Sequence, residues 1–294
     1  MNAIIAVIVN VIFALLYAPL IDGVERKIKA RVQRRKGPPI QQTWYDILKL
    51  FKKEEIMPKD ATKSIFISAP FMAFLSVLIS YLFVPTILPG ALYFYGDIIV
   101  VVYLLAFSSI AFFLGAFSSG NPYAQVGANR EMSLAVVEEI LLAFIVGSLA
   151  VLNRSLMLNK MFPLEIKVSS IILLAFYLVV MYIASARVPF DIAEAEPEIV
   201  EGPFIEYSGK YLAMCKYTIF LKRILLTSLF LNFVLPENVL WRTVGYVIGV
   251  VVIPVVLAMI EAHMGRMRID QAVRFMKRLS VIGIFAWVIS LFGW

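Results

Sequence analysis

The chain has 294 residues, 61% of them hydrophobic, with a mean hydropathy of +0.87 and a formal net charge of +7. A soluble globule has an apolar share nearer half, so the composition describes an integral membrane protein. The positive charge is no nucleic-acid footprint, because the basic residues flank apolar segments as membrane topology requires, and the single Cys215 and single His263 exclude an iron-sulfur cluster, a cysteine-rich nickel site or a bis-histidine haem held by this chain alone.

Segments long enough to cross a hydrocarbon core, about 20 helical residues, fall at 3–21, 64–88, 97–117, 132–152, 168–186, 211–235, 240–260 and 279–294. The expected architecture is all-α: one polytopic membrane domain over 1–294 with eight predicted spans. The first segment lacks a basic leader and a small-residue cleavage site, so it reads as a retained helix. Lys and Arg number 20 in the odd connections (22–63, 118–131, 187–210, 261–278) and 4 in the even ones (89–96, 153–167, 236–242). The positive-inside rule then puts both termini outside and the odd loops in the cytoplasm, for a multi-pass protein of the cell membrane.

The first loop opens with a basic run holding Arg26, Arg31, Arg34 and Arg35. It is either a flank held near anionic headgroups or a docking surface, since Arg31, Arg34 and Arg35 are spaced for one helical face before Gly37-Pro38-Pro39 breaks the helix. Beyond it Trp44, Ile47, Leu48 and Phe51 recur at helical spacing, with Asp46, Lys49, Lys52 and Lys53 opposite. That pattern predicts an amphipathic helix lying on the membrane or under a partner.

The third loop is Gly- and Ser-rich and ends in Arg130-Glu131, read as a turn before a helix N-terminus. Glu138 and Glu139 follow within the fourth span. Carboxylates at membrane depth are expensive, so they serve proton handling or a structural ion pair, and adjacent positions point about 100° apart, so one of the two faces the cavity. The sixth span holds Lys216, Lys222 and Arg223, of which Lys216 and Arg223 share a face that could oppose these carboxylates.

Between the fifth and sixth spans, Arg187 to Lys210 encloses six carboxylates, Asp191, Glu194, Glu196, Glu198, Glu201 and Glu206, with no Lys or Arg between its ends. Asp191, Glu194, Glu198 and Glu201 would form one stripe if helical, although Pro197 favours a kink or break. Interleaved Phe190, Ile192, Ile199, Phe204 and Tyr207 point to a chain tucked against protein or membrane and not to a solvated loop. In the last basic loop, Arg266 to Arg278 serves topology, and His263 lacks the partners that a metal site needs.

Three segments carry a resemblance over essentially the whole chain. Glu25-Arg-Lys…Arg31-Val-Gln-Arg…Gly37-Pro, with Lys49-Leu…Lys53-Glu54, and the long run Arg187-Val-Pro-Phe-Asp191…Glu194-Ala-Glu196…Glu198-Ile-Val…Glu206-Tyr-Ser-Gly209 resemble the H-type (subunit 1) membrane protein of respiratory complex I. The third loop, Asn121-Pro-Tyr-Ala-Gln-Val-Gly-Ala-Asn-Arg-Glu-Met132, is similar instead to the membrane subunits of formate hydrogenlyase and the membrane-bound, energy-converting [NiFe]-hydrogenases. The resemblance implies a membrane anchor for a peripheral arm of iron-sulfur and large catalytic subunits, beside antiporter-like membrane subunits. Iron-sulfur clusters, and in the hydrogenase branch a NiFe centre, would then belong to those partners, with no cofactor in this chain.

By motif, the expected proton or charge relay comprises Asp191, Glu194, Glu196, Glu198 and Glu206. Glu201 joins it from the acidic run, and Glu138, Glu139, Lys216, Lys222 and Arg223 join as intramembrane charges. Expected docking residues are Arg26, Arg31, Arg34, Arg35, Arg130 and Arg187. Six acids in so short a run repel one another, so some should exchange protons at working pH and respond to chemistry in the arm. The rival readings are a purely structural anchor, an autonomous transporter, disfavoured by the lack of a halves-related repeat, and a quinone- or sulfur-compound-reducing complex with the same anchor.

Overall fold

In the computed structural model, residues 3–88, 90–165, 167–193, 200–236 and 238–291 are described, and among them the regular structure is entirely helical. The helices are α1 (Ala3–Val32), α2 (Gln42–Lys52), α3 (Lys63–Ser80), α4 (Asp97–Ser118), α5 (Pro122–Asn153), α6 (Leu158–Met161), α7 (Val168–Ala184), α8 (Gly209–Val234), α9 (Val239–His263) and α10 (Ile269–Leu291), with a 3₁₀ turn at Gly202–Phe204. Helices occupy all eight expected segments, and six of the described helices, α1, α3, α4, α5, α8 and α9, are long and apolar enough to cross a membrane. By contrast α7 is apolar but has only 17 residues, and α10 carries Asp270, Arg274, Lys277 and Arg278 in its first half.

Four expected boundaries move: α3 ends at Ser80 and not at 88, α10 starts at Ile269 and not at 279, α1 runs on past 21, and α5 starts before 132. At 1.5 Å per residue the 30 residues of α1 run about 45 Å, well past a hydrocarbon core of about 30 Å. Its last turns carry Asp22, Glu25, Arg26 and Lys29 while still helical. The helix stops at Val32, because Arg34 adopts a left-handed conformation (φ 57°) and the Arg35 amide reaches back to the Ala30 carbonyl at 2.7 Å. Arg31, Arg34 and Arg35 consequently do not share a helical face, contrary to the spacing argument. The expected third loop is mostly helix: the Asn121 side chain accepts from the Tyr123 amide at 2.8 Å and Pro122 occupies the first helical position, so α5 begins there and carries Arg130 and Glu131 within it.

After α1 the chain folds back along its own helix. A Cβ on Gly23 would sit 1.9 Å from the Ile40 carbonyl oxygen, so only glycine admits this return. The return sets α2 against α1 and α8. Thr43 donates to Asp22 at 2.8 Å, Ile47 is buried, and the Trp44 indole donates to the Leu16 carbonyl at 3.3 Å, while Leu48 and Phe51 of the same expected apolar face stay exposed. Central to the bundle is α8, which packs on α1, α2, α3, α7 and α9. Tyrosine hydroxyls from Tyr81 and Tyr177 donate to the Leu221 and Leu226 carbonyls of α8, at 2.7 and 3.0 Å, satisfying O–H groups that hydrocarbon would leave bare.

The four odd connections share one end of the bundle. Thr62 N–H donates to the Ser118 carbonyl at 2.9 Å, Ile56 N–H to Ser208 Oγ at 2.8 Å, and Met267 N–H to the Pro189 carbonyl at 3.3 Å. The opposite end is closed by Asn10 of α1, which bonds Leu88 and Gly90, and by Asp97, which accepts from the Leu158 amide at 2.8 Å. At the first end, the segment leaving α7 is fastened by Arg187. Its guanidinium is 2% exposed and makes a two-pronged pair with Glu25 of α1 at 2.6 and 2.9 Å, with Glu261 of α9 at 3.3 Å and Lys29 on the same Glu261 carboxylate at 2.6 Å. Arg187 is therefore an internal fastener and is not available for docking, since a guanidinium already desolvated and forked onto a carboxylate has no face left for a partner.

Removing one member of such a pair strands the other. Arg187→Leu is expected to destabilise the protein by about 3–5 kcal/mol, read as a lower unfolding temperature of the detergent-purified protein. Lys167→Met, which opens only the exposed Glu165–Lys167 pair, should leave that temperature unchanged, because solvent screens such a pair.

Candidate functional site

Beneath that fastened end lies a narrow cavity of about 60 Å³ enclosed by α4, α5, α8 and the segment after α7. Its polar wall comprises Ser109, Glu131, Glu138, Asp191, Lys222 and Arg223. At roughly 10–15 Å³ of such volume per molecule, it has room for about four waters among groups able to hold them. Across it, Lys222 Nζ of α8 meets Glu138 Oε1 of α5 at 3.1 Å and Ser109 Oγ of α4 at 3.4 Å. Both charged side chains are largely withdrawn from the surface, 16% and 12% exposed. Two unit charges about 3 Å apart interact by about 5 kcal/mol at an effective dielectric constant near 20, so a change of charge on one is strongly felt by the other. Glu139 does not line the cavity, and the structure thus separates two adjacent acids that sequence spacing leaves equivalent.

Beside this pair, starting at the next residue of α8, a line of alternating charge leads to the polar end. Arg223, next to Lys222, donates from Nε to the Ser185 carbonyl at 3.0 Å and lies 3.5 Å from Asp22 of α1. Asp22 in turn meets Arg26 at 3.3 Å, and Arg26 meets Asp46 of α2 at 2.9 Å. Burial alone would raise the Asp46 carboxyl, but hydrogen bonds from Arg26 and Gln42 outweigh it and hold the group below the ordinary carboxylate range. Arg223 also lines a second cavity of about 200 Å³ with Arg26, Glu201 and Lys216, where Lys216 stands 3.7 Å from Glu201. Of the basic residues on α8 it is Lys222 that binds the intramembrane carboxylate, while Arg223 lines both cavities and Lys216 only the second. Lys216 therefore stands away from Glu138, against the expectation, whereas Arg223 shares the Glu138 cavity and meets Asp22.

Of the acidic run, Glu194, Glu196 and Glu198 lie outside the described residues. Asp191 and Glu201 are not helical, so no straight acidic stripe joins them. Asp191 accepts a two-pronged pair from Arg266 at 2.9 and 3.0 Å, yet burial dominates and pushes its carboxyl above the usual range against the pull of that guanidinium. Glu206 accepts from Asn121 Nδ2, tying the run to the start of α5. Phe190, Ile192, Phe204 and Tyr207 are buried, and Tyr207 stacks on Phe66 with ring centroids 4.3 Å apart, so the apolar interleaving does mark a tucked segment. Where the 3₁₀ turn crosses α5, a Cβ on Gly127 would come within 2.7 Å of Gly202 Cα, which makes this a backbone-on-backbone approach.

Among the expected docking residues, Arg31, Arg34 and Arg35 are exposed, Arg130 is half-buried in α5, and Arg26 is absorbed into the charge line. Sequence reasoning missed Asp22, Glu25, Asp46, Glu261 and Arg266 as site members. Charged residues two turns beyond an apolar run were the available signal, but their pairing needs the fold-back over Gly23. Among the described residues no group of His, Cys, Asp or Glu is arranged to hold a metal ion.

A family model described as NADH dehydrogenase matches residues 4–292. Hydrogenase-4 component C of Escherichia coli K12 is 35% identical over 245 residues, covering 79% of this chain and 76% of its own length. Formate hydrogenlyase subunit 4 of the same organism is 30% identical over 277 residues, covering 88% and 89%. NADH-ubiquinone oxidoreductase chain 1 of Chondrus crispus is 34% identical over 240 residues, covering 77% and 72%. A chain from the structure of the membrane-bound sulfane sulfur reductase, an archaeal respiratory membrane complex, matches with a TM-score of 0.87 and 26% identity over 99% of this chain and 100% of that one. With a whole-length family match, and with a charge-lined interior set in an apolar helical bundle, the chain belongs to the NADH dehydrogenase family of membrane proteins.

Proposed function

We propose that this chain is the membrane anchor and coupling subunit of a complex I-related, ion-pumping oxidoreductase of the hydrogenase type. The observation that carries the reading is the Lys222–Glu138 pair at a water-sized cavity, adjoined by the Arg223–Asp22–Arg26–Asp46 line to the end of the bundle where the odd loops gather. A membrane protein retains such buried charge where it moves charge or protons. Reduction chemistry in a docked arm of iron-sulfur and catalytic subunits changes the charge at that end. Asp191, with its carboxyl raised by burial, and the neighbouring acids Glu201 and Glu206 are placed to respond first. The shift passes through Arg223 to Lys222 and Glu138, and from the midplane sideways to antiporter-like subunits. In this account all eight helices span the membrane, both termini lie outside, and exposed Arg31, Arg34 and Arg35 face the arm.

A hydrogenase-type complex is favoured by the Hydrogenase-4 and formate hydrogenlyase relatives and by the Asn121–Met132 segment. The likeness to a chain of a sulfane sulfur reductase supports a second reading, in which the same anchor serves a sulfur-compound reductase. Purifying the intact complex through a tag on this chain and assaying hydrogen evolution from a reduced viologen separates the two. Co-purification of a metal-bearing arm with hydrogen evolution supports the first reading. An arm without it moves the function to sulfur-compound or quinone reduction, and isolation of the chain alone refutes the anchor.

The coupling role has its own test. Glu138→Gln and Lys222→Met each strand a charge, whereas the double variant restores neutrality. Coupling requires the double variant to assemble and turn over like wild type while ion pumping in proteoliposomes falls by about tenfold or more, a shift of about 1.4 kcal/mol in the controlling step. Full recovery of pumping in the double variant would reduce the pair to a structural one.

A further inference from the structure

Helix α9 takes its packing from α1 and α8, and it stands off from α7 and α10. The gap is a cleft of about 520 Å³ lined by Leu178, Tyr182, Phe230, Val256, Met267 and Phe275 among others, with no charged side chain in its wall. The Tyr182 hydroxyl is already committed to the Val188 carbonyl. Water in such a space would find none of the two to four polar partners it needs. The cleft opens past Val252, Val256 and Ile260, which are 49%, 42% and 41% exposed, onto the flank of the bundle that meets the bilayer.

The lining on α9 and just beyond it runs from Val252 to Met264, about 18 Å at 1.5 Å per residue. That length accommodates an extended hydrocarbon chain, and the charge beside the cleft is what selects the occupant. The end of the cleft nearest the odd loops is closed by the 264–268 segment, fastened through Met267 N–H to the Pro189 carbonyl. There the charge turns positive: Arg268 adjoins Met267 and is exposed, and Arg274, Lys277 and Arg278 follow in the first turns of α10 against the single acid Asp270. Basic surface beside a gap between membrane helices suits an anionic headgroup.

We propose that this cleft is a specific site for one hydrocarbon chain of an anionic phospholipid, with the phosphate held by Arg268 and the basic start of α10. Phe190 is the wall shared by the cleft and the charged cavity, packed against Tyr182 and Phe275. The bound chain therefore backs the partition that keeps hydrocarbon and the Lys222–Glu138 pair apart.

The test uses the intact complex, stripped in mild detergent and titrated with phosphatidylglycerol or phosphatidylcholine, with bound lipid counted by native mass spectrometry. Wild type should keep one phosphatidylglycerol after other lipids are lost. Val256→Trp, which fills the cleft, should abolish that retention, and Arg268→Glu should weaken phosphatidylglycerol binding by about tenfold while leaving phosphatidylcholine unchanged. Equal retention of the two lipids, or unchanged retention in both variants, overturns the proposal. So does a disulfide from Val256→Cys to a cysteine in a neighbouring protein's helix, which would show the cleft filled by protein. Should Val256→Trp fail to assemble, the surface variant Arg268→Glu decides alone.

Discussion

Everything in this structure answers to one constraint: a charge withdrawn from water into an apolar bundle must find an opposite charge at hydrogen-bond distance. Arg187 and Glu25 meet that constraint where the segment leaving α7 enters the bundle, and Lys222 and Glu138 meet it deeper, at the cavity. Neither pair lies within one helix. Each joins elements far apart in sequence, so correct pairing and correct packing of α1, α5, α8 and α9 are the same event. Hydrophobic burial supplies no preference for these registers, because the surroundings of a membrane helix are as apolar as its neighbours. Charge and hydrogen-bond matching does.

Helix length then sets further charges beside these pairs. Because α1 and α5 outrun the hydrocarbon core, they carry Asp22, Arg26 and Glu131 between the apolar zone and the polar end without a break in the backbone. The fold-back over Gly23 brings Asp46 onto Arg26, and the placement of α8 brings Arg223 onto Asp22. Signs alternate at contact distance from Arg223 through Asp22 and Arg26 to Asp46, and Arg223 adjoins Lys222 in sequence, which is the juxtaposition on which the proposed relay rests. Glu139, one position away, is excluded from the cavity by the 100° turn per residue.

The sequence revealed the helical class, the positions of the apolar segments and the concentration of acid after Arg187, because hydropathy and charge are local properties. Helix ends were less legible. Residues 22–32 and 122–131 are polar enough to read as loop, yet the Asn121-Pro122 pair was a helix-start signal in plain view. Choosing Lys222 over Lys216 as the partner of Glu138 depends on how α8 is rotated against α5, and that rotation follows from side chains on five neighbouring helices. Arg187 looked like a docking residue because it begins an acidic run, and only the convergence of α1 and α9 shows it to be buried.

The central claim is that Glu138 changes its protonation or its partner when the arm is reduced. Infrared difference spectroscopy of the purified complex, oxidised against reduced, measures this directly in the carboxyl stretching region. The account requires a carboxyl band that appears on reduction and disappears in Glu138→Gln while turnover persists. A difference spectrum identical in wild type and Glu138→Gln would contradict it, and would leave the Lys222–Glu138 pair as part of the scaffold alone.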